Sequence, residues 1–237
     1  MTNSIYVALD FPNWQETSTF LERNDLKGVP VKVGMELFYN EGLKVIEKLK
    51  KNNHRIFLDL KLHDIPTTVM KAMHVLSKLE VDIVNIHALG GSEMIQRAKE
   101  GLTNGNPTYD TKLIAVTILT SMDEQMLHQD LKLTDNVTEA AVHFSKLAHT
   151  NGADGVVCSV HEASAIKKAC GEEFLTVTPG IRLSHTTADD QKRIATPGFA
   201  CQHGADYIVI GRSITKSDHP RENYEQAVRE WEEALCN

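Results

Sequence analysis

"FLDLKLHDIPTT", residues 57–68, joins an apolar run to Asp59, Lys61 and Asp64. An ordinary strand end needs one polar residue to meet water. Two acids and a base at this spacing instead suggest an arranged set of charges. Side chains of a strand alternate between faces, so Asp59 and Lys61 are expected to project together while Leu58 and Leu60 face the other way. A strand whose second face is apolar belongs beneath helices, as in a parallel sheet.

Outward from this segment the same pattern recurs. Short, β-branched apolar runs stand at 4–10 (SIYVALD), 30–34 (PVKVG), 55–61 (RIFLDLK), 81–87 (VDIVNIH), 112–118 (KLIAVTI), 154–160 (DGVVCSV), 174–178 (FLTVT) and 206–211 (DYIVIG). Helical patterns fill the gaps. "EGLKVIEKLKKN" spaces Leu43, Ile46 and Leu49 along one helix face and ends in lysines that suit the negative end of a helix dipole. "DNVTEAAVHFSKLAHTNGAD" opens on an Asp or Asn cap and stops at Asn-Gly. Alternation of this kind, about 30 residues per unit, predicts an α/β protein of the (β/α)8 TIM-barrel type. An open doubly wound sheet usually carries a glycine-rich first turn, whereas the first turn here, "ALDFPNWQ", has no glycine. No linker divides the chain, so residues 1–237 are expected to form one barrel domain, with an extra helix in the long connection 119–153.

The chain carries 25 basic against 32 acidic residues, a net charge of −7, which argues against nucleic acid or an anionic membrane as partner. An anionic small molecule would need basic groups concentrated locally. Four scattered cysteines, Cys158, Cys170, Cys201 and Cys236, form no CxxC pair, and "MTNSIYVALD" reads as a first strand rather than a leader. A cytoplasmic protein without disulfides is expected.

In such a barrel the active site collects at the C-terminal strand ends. Those ends carry Asp10, Lys32, Asp59 with Lys61 and then Asp64, His87, Thr120 with Ser121, Pro179 to Arg182, and Gly211 with Arg212. Charges buried there must compensate one another. The glycine-containing "TPGIR" and "GRS" follow strands seven and eight, where barrels frequently bind phosphate. Glycine lets backbone N–H groups approach an anion, and Arg182 or Arg212 can supply bidentate hydrogen bonds.

These motifs resemble the orotidine 5′-phosphate decarboxylase family of the short bacterial type. "DLKLHDIPTTV" corresponds to its DxKxxDI signature, with "LTS" after strand five, "TPGIR" after strand seven and "GADYIVIGRSI" near strand eight. DxKxxD alone is shared with related sugar-phosphate lyases and decarboxylases; the ordered set is more specific. The resemblance implies that Lys61 donates a proton to C6 of the pyrimidine within a network of Lys32, Asp59, Lys61 and Asp64. It implies that Asp10 and Lys32 hold ribose hydroxyls, that Thr120 and Ser121 meet the pyrimidine, and that Pro179 lines its pocket. Arg182, Gln191, Gly211 and Arg212 would bind phosphate, Gln191 from "LSHTTADDQKRIATP", which resembles the family's mobile loop. Asp64, Ile65 and Thr68 would act across a homodimer interface, and neither metal nor organic cofactor is called for. Ser213 stands where many members have proline.

Several histidines carry less. His63 is out of phase with Asp59 and Asp64, and one His among carboxylates is weak metal evidence. His87 could line the site, meet a partner or be structural. His74, His143 and His149 fall on expected helices.

Overall fold

The computed structural model describes residues 4–183 and 195–236. Eight parallel strands close in sequence order into a barrel: β1 (Ile5–Leu9), β2 (Val31–Gly34), β3 (Ile56–Leu62), β4 (Ile83–His87), β5 (Lys112–Val116), β6 (Gly155–Val157), β7 (Leu175–Thr178) and β8 (Tyr207–Ile210). Each falls within or against one of the eight apolar runs, and β1 pairs with β8 to complete the ring. The helices described are α1 (Trp14–Arg23), α2 (Met35–Glu41), α3 (Leu43–Lys51), α4 (Pro66–Ser77), α5 (Gly91–Gly105), α6 (Glu124–Gln129), α7 (Val137–Thr150), α8 (Val160–Cys170), α9 (Pro197–Gln202), α10 (Arg212–Thr215) and α11 (Pro220–Leu235). The long connection after β5 holds α6 in addition to the crossover helix α7.

Local chemistry explains the boundaries. Asn136 and Glu139 form a reciprocal capping box at the start of α7, and Ser159 with Glu162 does the same for α8. Each box satisfies backbone donors that the first helical turn cannot. The strands divide their side chains between two layers. Tyr6, Ala8, Phe57, Ile83, Ile114, Val177 and Val209 fill the barrel interior. Leu58, Leu60, Val84 and Ile86 join the larger layer beneath the helices.

A repeated acid fixes the N-terminal rim. In "VDIV", "ADGVV" and "ADYIV" the aspartate preceding β4, β6 and β8 accepts the backbone N–H of a neighbouring strand. Ile56 donates to Asp82, Leu113 to Asp154 and Thr176 to Asp206, each at 2.7 Å. Arg55, Lys99 and Lys167 neutralise these carboxylates, also at 2.7 Å. Charge-assisted bonds of this kind pin strand register at the bottom of the barrel and leave the opposite rim for chemistry.

Candidate active site

At the C-terminal ends of the strands opens a cavity of about 550 Å³. Its floor is the interior layer, Ala8, Phe57, Val177 and Val209, and its wall carries Asp10, Lys32, Asp59 and Lys61. These four form a continuous ion chain. Lys32 Nζ lies 3.0 Å from Asp10 Oδ1 and 3.3 Å from Asp59 Oδ2, while Lys61 Nζ lies 2.6 Å from Asp59 Oδ1. Asp59 is only 7% exposed, so its charge depends on these neighbours. Burial pushes its carboxyl up. The Lys32 and Lys61 ammoniums, with hydrogen bonds from Lys61 and Asn85, outweigh that and hold it below the usual carboxylate range. Burial likewise pulls Lys32 down, and Asp59 and Asp10 more than reverse the effect, raising it above an ordinary lysine.

Gly34 makes room for this chain. A Cβ there would stand 3.2 Å from Lys32 Nζ and 3.3 Å from Asp10 Oδ1, so any larger residue would push the first ion pair aside.

Asp59 and Lys61 do meet, but not on an unbroken strand. Leu58 pairs with Val84 and Leu62 with Ile86, so β3 spends four residue steps where β4 spends two. Lys61 sits in this bulge with a left-handed φ of 51°, an uncommon conformation for a residue with a side chain. Simple alternation therefore reached the right pair through an incomplete geometry. The residue that compensates the bulge is Asn85 of β4, which sequence reasoning missed. Its Oδ1 accepts the Lys61 backbone N–H at 2.7 Å, and its Nδ2 donates to Asp59 Oδ1 at 2.7 Å. A polar residue in the apolar run "VDIVNIH" was the available signal, since buried amides need partners.

Thr120, Ser121, Pro179, Gly180, Arg182, Gly211 and Arg212 also line the cavity. Gly180 turns the chain after β7 with φ 82°, which a Cβ would oppose. Arg182 is buried, and its guanidinium donates to the Ile181 carbonyl at 3.0 Å; Arg212, opening α10, is half-buried. Ser213 turns inward, and its carbonyl accepts from Asn223 Nδ2 at 2.7 Å. Thr215 and Lys216 also line the mouth and were not anticipated. Among the described residues five basic side chains and two acids line the cavity, so an acidic chain gathers net positive charge here. That suits an anionic ligand.

Asp64, Ile65 and Thr68 do not line this cavity. They lie on exposed surface after β3, Ile65 at 67% exposure, and Asp64 Oδ1 accepts the Ile65 N–H at 2.6 Å. Gln191 lies outside the described residues. His87 also stands apart from the cavity wall, its ring centroid 5.6 Å from that of exposed His63. Burial, then His63 and Lys61, lower its affinity for a proton. Among the described residues no group of three or more His, Cys, Asp or Glu is arranged to hold a metal ion. No described helix is long and apolar enough to cross a membrane.

A family model described as "Orotidine 5'-phosphate decarboxylase / HUMPS family" matches residues 3–227. The chain belongs to this family. Membership makes it an enzyme of carbon–carbon bond cleavage. A Bacillus pumilus protein named orotidine 5′-phosphate decarboxylase is 54% identical over 230 residues, covering 95% of this chain and 97% of the relative. A Geobacillus protein of the same name is 51% identical, with 98% of each chain covered. The crystal structure of orotidine 5′-phosphate decarboxylase from Lactobacillus acidophilus superposes with a TM-score of 0.86 at 42% identity, covering 96% of this chain and 98% of the other.

Proposed function

We propose that this protein decarboxylates orotidine 5′-phosphate to uridine 5′-phosphate, the last step of de novo UMP synthesis, in the cytoplasm and without metal or organic cofactor. Residues 1–237 serve as one barrel domain. The observation that carries the proposal is Lys61, held 2.6 Å from a buried aspartate in a cavity that Arg182 and Arg212 also line.

Loss of CO2 from C6 leaves an electron pair in an sp2 orbital orthogonal to the ring π system, beyond the reach of simple resonance. A fixed cation beside C6 is then the direct stabiliser. Lys61 supplies that cation and afterwards delivers its proton to C6, combining electrostatic preorganisation with general acid catalysis. Asp59 and Asp64 compensate the lysines and aim them. Asp10 and Lys32 hold the ribose hydroxyls, Thr120 and Ser121 meet the pyrimidine, and Pro179 lines its pocket. Arg182, Gln191, Gly211 and Arg212 take the phosphate, whose binding energy, remote from C6, favours a closed and dry site.

In this scheme the active form is a homodimer in which Asp64, Ile65 and Thr68 complete the partner's site. Their exposure outside this chain's own cavity supports that role.

The test is purified protein mixed with orotidine 5′-phosphate, followed by pyrimidine absorbance and by release of CO2 and uridine 5′-phosphate, with and without chelator. Equal turnover in both is expected. No turnover overturns the activity. Turnover lost to chelator and restored by Mg2+ overturns the metal-free chemistry, whereas rejection of the nucleotide favours the sugar-phosphate branch of the superfamily.

A further inference from the structure

Asn85 is 1% exposed in an otherwise apolar part of β4 and does not line the cavity. Both ends of its amide are occupied by catalytic groups. The bulge in β3 turns the Lys61 N–H away from the β4 backbone, and a buried N–H needs an acceptor. Asn85 Oδ1 is that acceptor at 2.7 Å. Its Nδ2 meets the same Asp59 oxygen, Oδ1, that receives the Lys61 ammonium. One planar amide thus ties the backbone of Lys61 to the carboxylate that aims its side chain.

We propose that Asn85 is a positioning residue for decarboxylation, fixing the Lys61 ammonium toward C6 by clamping the strained Lys61 backbone and Asp59 together. It acts through Lys61 and Asp59 and touches no substrate. The amide performs both tasks at once, offering an acceptor on one side and a donor on the other. The proposal rests on the decarboxylase activity argued above.

The experiment compares kcat and KM for orotidine 5′-phosphate in wild type, Asn85→Ala and Asn85→Asp, with circular dichroism and thermal melts for each. Asn85→Ala frees Lys61 to drift by a fraction of an ångström to an ångström, and a fall in kcat of about 10²-fold with little change in KM is expected. Asn85→Asp preserves volume and the acceptor for the Lys61 N–H, but turns a second carboxylate on Asp59. Its kcat should fall below that of Asn85→Ala. A space-filling role predicts the opposite order, with Asn85→Asp near wild type. Wild-type kcat in either folded variant, a change confined to KM, or loss of fold in both variants overturns the proposal. An inactive wild type would instead overturn the decarboxylase activity itself.

Discussion

Replacing Lys61 by alanine should abolish decarboxylation while sparing the fold. The magnitude follows from two separate functions of one ammonium. As a fixed charge about 4 Å from the developing anion, at an effective dielectric constant near 20, it stabilises the transition state by about 4 kcal/mol. That corresponds to about 10³ in rate. As general acid it adds about 10²–10⁴, so kcat should drop by about 10⁵–10⁷. Stability changes far less. Asp59 keeps Lys32 at 3.3 Å and Asn85 at 2.7 Å when Lys61 is shortened, and loss of one charged hydrogen bond costs about 1.5–3 kcal/mol. The assay is initial-rate absorbance on protein whose far-ultraviolet circular dichroism matches wild type. A well-folded Lys61→Ala enzyme within about tenfold of wild type would refute the role given to this ammonium.

Three further outcomes follow from the same geometry. Asp59 has a folded-state pKa below its unfolded value, so its stabilisation is complete above the unfolded value near 4 and disappears as pH falls through the folded one. The melting-temperature gap between wild type and Asp59→Asn should therefore shrink on acidification below about pH 4; a gap independent of pH would count against a charged Asp59. Gly34→Ala should lower kcat/KM several-fold by displacing Lys32 and Asp10 a few tenths of an ångström, and unchanged kinetics would mean that this ion pair does not organise the site. On the proposed exchange of Asp64 between subunits, Lys61→Ala and Asp64→Ala proteins, each inactive alone, should regain activity when unfolded together and refolded as mixed dimers, because one of the two sites would then carry both residues intact. No recovery in verified heterodimers would rule out the exchange of Asp64 between subunits.

Periodicity and composition determined the eight-stranded barrel. Parallel strands buried on both sides must be short and apolar, their crossovers must be amphipathic, and both demands are local enough to be written in the chain. The ends of those strands also marked Asp10, Lys32, Asp59, Lys61, Arg182 and Arg212 for one rim, since a parallel barrel places every C-terminal strand end together. What no local pattern encodes is a departure from the ladder. The β3 bulge, the left-handed backbone of Lys61 and the clamp from Asn85 arise between strands whose contacting residues are 24 and 26 positions apart in the chain. Likewise the reason for glycine at position 34 is the space required by two side chains from β2 and the end of β1. Sequence chose the charges; packing between neighbouring strands set their distances, and on those distances the chemistry depends.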